Sequence, residues 1–175
     1  MREQNRIQSR RMALCGVMAA LSVVILSVGS IIPAATVAGP MMAMICLVPV
    51  HCNCGPKTTL LVYAAVSILA VLLCTDKELA LFYVFFGWYP ALRTRLLALP
   101  KALQIVVKCA IYSLMMTAMY AMLIFLFQMQ AVVEEFSEYS TVMLAVLLAV
   151  GNVTFLLQDF ALRQVTALYQ RRRRR

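Results

Sequence analysis

The sequence predicts an all-α, polytopic membrane protein with six transmembrane helices and both termini in the cytoplasm. Three observations support this class. Hydrophobic residues make up 63% of the 175-residue chain, apolar runs alternate with short polar or Pro/Gly-containing segments, and positive charge is distributed asymmetrically. Soluble domains average about 45–50% apolar residues. We therefore expect one membrane domain at 12–170, between a basic segment at 1–11 and a poly-arginine tail at 171–175.

The first predicted span, 12–32, carries no charged residue and begins directly behind Arg10 and Arg11. A helix of this length extends over roughly 30 Å, the thickness of the hydrocarbon core of a bilayer. A secretory signal peptide is the competing interpretation, but its apolar core is usually about 7–15 residues long. Because further apolar runs follow, we expect the segment to be retained.

Small residues are concentrated near the start of this span. Gly16 and Ala20 are four residues apart and share one helical face, and Ala19 lies beside them. Helices in lipid associate through close backbone approach at such positions, because the hydrophobic effect contributes little there. Gly16, Ala19 and Ala20 are therefore predicted to form a docking face for another helix.

Five further spans are predicted along the chain. The second is short for a full crossing and requires Pro40 to lie in its first turn. A polar turn at 51–57 separates the second span from the third, and charged residues at 76–78 precede an aromatic fourth span. The predicted ranges are 36–50, 58–75, 79–92, 102–129 and 139–162.

Charge placement supports this count. With six spans, every one of the sixteen lysines and arginines except Lys77 falls on the side of the termini, and five of the seven acidic residues fall on the other side. Lysine and arginine near span ends are retained in the cytoplasm. The tail at 171–175 is expected to lie on anionic lipid, at roughly 1 kcal/mol per basic residue. Binding of nucleic acid is the less favoured interpretation.

Few residues suggest catalysis or metal binding. His51, Cys52 and Cys54 are close in sequence, but a zinc site normally takes four ligands and no second Cys/His pair stands nearby. Their loop is predicted to be cytoplasmic, where disulfides are rare, and the remaining cysteines are expected to pack as small apolar side chains. His51 is the only histidine. No catalytic residue, metal or cofactor is predicted, and the chain is not expected to be an enzyme.

Three polar residues lie within the last two spans. An ionisable residue at membrane depth is by default a functional-site hypothesis, but Arg163 lies four residues after Asp159, which favours an intrahelical pair near the headgroups. Lys108, near the start of the fifth span, is expected to extend its amine to the headgroups. Asn152 can hydrogen-bond either a neighbouring helix or a solute, and both alternatives are retained.

Aromatic residues crowd the fourth span. Tyrosine and tryptophan favour membrane interfaces, which would place Tyr83 near the outer end of this span. Phe86 and Trp88 should instead fall at mid-depth, where aromatic rings can also line a cavity for a flat organic solute. Interface anchoring and cavity lining are both retained as interpretations.

The layout as a whole resembles the substrate-binding S component of energy-coupling factor transporters. GVMAAL at 16–21 is similar to that family's alanine-rich pattern in helix one, although Gly16 stands where alanine is usual, and GPK at 55–57 is similar to its entry into helix three. The resemblance implies that this face docks on a transmembrane coupling protein driven by two ATPase subunits, and that a vitamin or metal ion binds from outside. The sequence has no acidic or histidine-rich N-terminal motif of nickel or cobalt members, and no phosphate-binding glycine loop of an ATPase.

Two functions follow as hypotheses. The first is the solute-binding subunit of an ATP-driven importer in the bacterial plasma membrane, with a vitamin or similar small solute as ligand. The second is a non-transporting membrane protein, an assembly partner or sensor, that uses the helix-one face for helix pairing. A partly polar pocket supports the first and a solidly packed interior the second. The candidate solute-binding residues are Ser30, Thr36, Tyr83, Phe86, Trp88, Tyr139, Thr141 and Asn152.

Overall fold

The computed structural model describes residues 2–32, 35–96, 100–125 and 141–174, and every regular element within them is an α-helix. The all-α class is thereby confirmed. Three of the described helical segments are long and apolar enough to cross a membrane: Gln8–Gly29, Ala38–Leu73 and Leu103–Leu123. The helices are α1 (Arg2–Gly29), α2 (Ala38–Leu73), α3 (Lys77–Phe86), α4 (Tyr89–Leu96), α5 (Lys101–Phe125) and α6 (Thr141–Arg174).

Helix α2 reverses direction at Gly55. A straight helix of its 36 residues would be about 54 Å long, yet Thr36 and Asp76, which flank it, meet at 3.4 Å between Oγ1 and Oδ2. Gly55 has φ 83° and ψ 174°, a conformation that is essentially restricted to glycine. Helix α2 therefore consists of two antiparallel legs, leg one (38–54) and leg two (56–73). The reversal at Gly55 falls within the turn expected at 51–57, whose other residues are helical.

The chain forms two compact units, the first made of 1–95 and 162–175 and the second of 96–161. In the first unit α1 runs antiparallel to leg one. The Ser22 hydroxyl donates to the carbonyl of Ala43 at 3.4 Å, and a Cβ built on Gly29 would lie 3.4 Å from the Cα of Gly39. Small residues therefore allow the two helix backbones to approach closely at this crossing.

The helix expected at 79–92 is interrupted. Helix α3 has ten residues, about 15 Å of rise and half the hydrocarbon thickness, and α4 begins only at Tyr89. Pro90 cannot donate a hydrogen bond to the preceding turn, and it is tolerated because it lies in the first turn of a new helix. The aromatic segment is therefore two short helices rather than one span.

The terminal helices are longer than the spans predicted from the apolar runs. Helix α1 includes most of the basic N-terminal segment, and α6 continues through the poly-arginine tail to Arg174. Arginine, glutamine and leucine are good helix formers, so the helices extend beyond the apolar pattern. The expected end of the fifth span and the acidic loop at 134–138 lie outside the described residues.

In the second unit α5 runs antiparallel to the first part of α6. The rings of Tyr112 and Phe155 lie 5.3 Å apart between centroids, and Ser113 lies beside Asn152, with 3.4 Å between Oγ and Nδ2. A Cβ on Gly151 would overlap the Tyr112 hydroxyl. The glycine therefore makes room for the tyrosine at this crossing.

Several helices expose large apolar side chains. Leu61 and Leu72 are each 72% exposed on leg two, with Ile68 on the same face, and Leu114 on α5 is 66% exposed. Soluble monomers rarely expose contiguous apolar patches of this kind. The helices are thus compatible with a membrane protein.

Candidate functional site

Ser30 and Thr36, both predicted to bind solute, lie at the end of the first unit where α3 begins. The Ser30 hydroxyl, directly after the end of α1, donates to the carbonyl of Ser27 in the last turn of that helix at 2.8 Å. The Thr36 hydroxyl donates to Asp76 Oδ2 at 3.4 Å. Asp76 Oδ1 accepts the backbone N–H groups of the first turn of α3. One carboxylate oxygen of Asp76 therefore binds Thr36, and the other caps the N-terminus of α3.

Lys77 makes a second capping contact in the same turn. Its ammonium group donates to the carbonyls of Val71 and Cys74, at 2.9 and 3.0 Å. These carbonyls lie at the C-terminus of leg two, where a positive charge is favourable for the helix dipole. The charged residues at 76–78 thus provide hydrogen-bond partners for the backbone carbonyls that end leg two and for the backbone N–H groups that begin α3.

The aromatic residues predicted to line a cavity form part of the core of the first unit. Tyr83 is 0% exposed, so its ring packs inside the first unit. Phe86 is 1% exposed and packs on Phe82 with ring centroids 4.7 Å apart, while Trp88 is half-buried. The physical reason is that α3 buries most of its residues on all sides, as expected of a helix that is hydrophobic all round.

Tyr63, in leg two, is a residue that sequence reasoning missed. Its hydroxyl donates to the carbonyl of Val84, and its ring lies 5.9 Å from that of Tyr83. The hydroxyl of Tyr83 has no hydrogen-bond partner among the described residues. A single tyrosine in the apolar run of leg two was the available signal, but it does not specify α3 as the partner.

Asn152 lies in the second unit, on the face of α6 that meets α5. Its Nδ2 donates to the carbonyl of Leu148 at 2.9 Å and lies 3.4 Å from Ser113 Oγ. Its Oδ1 is buried and has no hydrogen-bond partner in the described part of the chain. Asn152 therefore contacts the neighbouring helix α5 through Ser113, which is one of the two roles retained for it. Its Oδ1 remains available as a hydrogen-bond acceptor.

Lys108 and Asp159 form a buried ion pair in the second unit. The Nζ–Oδ2 distance is 2.7 Å, and the side chains are 4% and 7% exposed. The expectation that Lys108 extends to the headgroups is therefore wrong, and Asp159 pairs across helices instead of relying on Arg163 alone. The two charges are buried together because each neutralises the other on facing helices.

The remaining predicted solute-binding residues contribute no described side chain. Tyr139 lies outside the described residues, and Thr141 is the first residue of α6, with its side chain outside the described set. Within the first unit, Ser30 and Thr36 lie at one end while Tyr83 and Phe86 lie in the core. Asn152 belongs to the second unit.

The predicted docking residues lie on an accessible part of α1. Gly16 and Ala20 are exposed and Ala19 is half-buried. A Cβ built on Gly16 would meet no atom within 4 Å. The glycine is therefore not needed for packing within the described structure, and its face is open to another helix.

The end of the first unit at Gly55 gathers polar side chains from three helices. Asn53 Nδ2 donates to the hydroxyl of Tyr169 at 2.7 Å, and the thiols of Cys15 and Cys54 lie 3.7 Å apart. His51 is half-buried, and its Nδ1 has no partner among the described residues. Within the part of the chain that is described, no three His, Cys, Asp or Glu side chains converge to hold a metal ion.

Comparison with known proteins yields no match to a protein family, a curated protein or a solved structure. The geometry of the chain itself therefore carries its functional assignment.

Proposed function

We propose that the chain is a multi-pass protein of the bacterial plasma membrane that binds a small solute, as the S component of an energy-coupling factor importer does. The observation that carries this proposal is the unpartnered Oδ1 of Asn152 on the helix face that meets α5. A buried polar atom without a partner costs about 1–3 kcal/mol. A solute that donates an N–H or O–H group to this oxygen removes that cost.

Other polar groups near Asn152 support this region of the second unit as the solute-binding site. Ser113 lies beside Asn152, and the Lys108–Asp159 pair lies further along the same two helices. Asn152 and Asp159 are seven residues apart on α6, about 10 Å along the helix axis. Polar and ionisable groups at membrane depth mark substrate pathways in many transporters. The solute we propose is polar and of vitamin size.

Two contacts at the Gly55 end of the first unit support the proposal that both termini lie on the same side of the membrane. Cys15, near the start of the predicted first span, lies beside Cys54, and Tyr169, near the end of α6, accepts a hydrogen bond from Asn53. Together with the distribution of lysine and arginine, these contacts favour placing both termini in the cytoplasm, which requires an even number of crossings.

The exposed face of α1 around Gly16 supports the proposal that a helix of another subunit docks there. In the proposed assembly it contacts a transmembrane coupling subunit, which is driven by two ATPase subunits. The chain needs no cofactor of its own in this role, because ATP is hydrolysed by those subunits.

Release of bound small molecules tests solute binding. The full chain, purified in mild detergent, should release a polar solute that is identified by mass spectrometry, and Asn152→Leu should lose it. Thr154→Val is the matched control, because the Thr154 hydroxyl donates only to the carbonyl of Val150 in its own helix among the described contacts. Equal solute content in wild type and Asn152→Leu would count against this site.

Co-purification tests the docking face separately. Gly16→Leu or Ala20→Leu should abolish association with a coupling subunit in membranes of the native host, while solute content is kept. Met12→Leu on the same helix is the control, because Met12 is exposed and already large. Unchanged association after both substitutions would contradict the docking face.

A non-transporting assembly partner or sensor is the second candidate, and one observation favours it. The predicted aromatic lining of the first unit is packed core, with Tyr83 and Phe86 almost fully buried. Under this alternative the purified chain carries no solute, while Gly16→Leu still disrupts its helix pairing. The two measurements therefore separate the candidates.

A further inference from the structure

We infer that Cys15 and Cys54 form a modification site, at which small-molecule disulfides of the glutathione type oxidise the two thiols to a reversible intrachain disulfide. This inference does not depend on the proposed solute. Its starting observation is the distance of 3.7 Å between the two Sγ atoms, which belong to residues 39 positions apart in sequence. Both side chains are half-buried, so they are accessible to a small reagent.

The surrounding helices hold the two thiols in place. Cys15 lies on α1 and Cys54 ends leg one, and these helices are held in antiparallel register by the Ser22–Ala43 hydrogen bond. A disulfide requires an S–S distance of about 2.05 Å. Side-chain rotation of the two cysteines can supply the remaining approach, because their Cβ atoms belong to neighbouring helices that already bring the sulfurs into contact.

Competing cysteines are less well placed. All six cysteines lie within the described residues, and none is in a disulfide. Cys52 is two residues before Cys54, and residues at this spacing do not face each other on a helix. Cys46 precedes Cys54 by eight residues on leg one, about 12 Å along the helix axis, and Cys74, the last cysteine of the first unit, is buried. Cys15 is therefore the partner that the fold provides for Cys54.

The exchange balances without any group supplied by the protein beyond the two thiols. The thiolate of one cysteine attacks the S–S bond of the small disulfide, which forms a mixed disulfide and releases one small thiol. The second cysteine thiolate then attacks the protein sulfur of that mixed disulfide and releases the second small thiol. Two protein thiols are oxidised to one disulfide, one small disulfide is reduced to two small thiols, and the two cysteine protons end on those small thiols.

The product would link α1 covalently to the Gly55 turn. Cytoplasmic disulfides in mesophiles are usually transient and redox-sensing, and this pair lies directly beside Gly16. Oxidation would therefore fix the middle of α1 against the end of leg one while the thiols remain linked, and an excess of a small thiol would release it.

Peptide mapping of the full chain in detergent micelles tests the inference. After incubation with glutathione disulfide and digestion without reductant, mass spectrometry should find the Cys15 and Cys54 peptides joined, and reduced glutathione should reverse the link. Cys52→Ser should retain the link, whereas Cys15→Ser should lose it and carry glutathione on Cys54. Size-exclusion chromatography verifies that each variant is folded, and Cys15→Ala replaces Cys15→Ser if that variant is not.

Three results would overturn the inference, and each can be read from the wild-type chain without any variant. They are glutathione adducts on Cys15 and Cys54 with no link between them, a Cys52–Cys54 link in place of the predicted one, and a Cys15–Cys54 link that forms only between two chains. Dilution of the protein distinguishes the last result from an intrachain link, because the yield of a link between two chains falls as the protein concentration is lowered, whereas the yield of an intrachain link does not.

Discussion

The ammonium nitrogen of Lys108 lies 2.7 Å from Oδ2 of Asp159, across two helices and 51 residues of sequence, with both side chains almost fully buried. Burying either charge alone is expensive, and their attraction in a medium of low dielectric constant offsets that cost only while both are present. The packing of α5 on α6 is therefore stable only while both Lys108 and Asp159 are present, or while both are absent.

Removing one member of this pair should destabilise the chain more than removing both. Lys108→Met and Asp159→Leu should each lower the free energy of unfolding by roughly 3–5 kcal/mol, because each leaves one buried charge without its partner on the facing helix. The double variant should recover most of this loss. Denaturant unfolding in detergent measures all three. Lys57→Gln is the control, since Lys57 is exposed. Additive losses in the double variant would contradict the coupling.

Gly87→Ala should destabilise the first unit through a steric clash. The new Cβ would lie 2.9 Å from Cδ2 of Tyr63 and 2.6 Å from the carbonyl oxygen of Tyr83, and overpacking of this kind typically costs about 1–3 kcal/mol. The midpoint of thermal unfolding should decrease accordingly. Gly16→Ala is the matched control, because its Cβ meets no atom within 4 Å. Equal midpoints for the two variants would argue against the Tyr63 contact.

Gly55→Ala tests a backbone effect without a clash. A Cβ on Gly55 would also meet open space, but φ is 83°, and a non-glycine residue there costs roughly 1–3 kcal/mol. The free energy of unfolding should therefore decrease although no contact is lost. A variant as stable as Gly16→Ala would mean that α2 does not turn through this conformation.

Local chemistry made part of this fold predictable. The helical class follows from apolar runs too long for strands, and the turn at 51–57 could be located because a glycine and a proline stand together among polar residues. The same reasoning placed Pro40 in the first turn of its helix, as the structure has it. Each of these features is determined by residues close together in sequence.

Features that depend on partners distant in sequence were not predicted. Asp159 has a basic residue four positions away, so a local pair was a sufficient explanation, and nothing in the sequence indicates Lys108 as the partner. The burial of Tyr83 follows from the packing of α3, which the average preference of tyrosine for membrane interfaces does not indicate. The sequence shows one basic and one acidic residue in separate apolar runs, but this pattern does not specify that the two helices face each other.

Asp76→Ala provides the most direct test of the end of the first unit where Ser30 and Thr36 lie. Asp76 Oδ1 accepts the N–H of Glu78 at 2.9 Å and that of Leu79 at 3.3 Å, and loss of such a cap costs about 0.5–2 kcal/mol. Asp76→Asn retains an acceptor oxygen and should lose less. Glu78→Gln, which changes charge in the same turn without removing the cap, serves as the control. Thermal unfolding of the four proteins should place Asp76→Ala lowest. If Asp76→Asn were as unstable as Asp76→Ala, charge rather than capping would explain the loss, because the amide oxygen can still accept the backbone N–H groups.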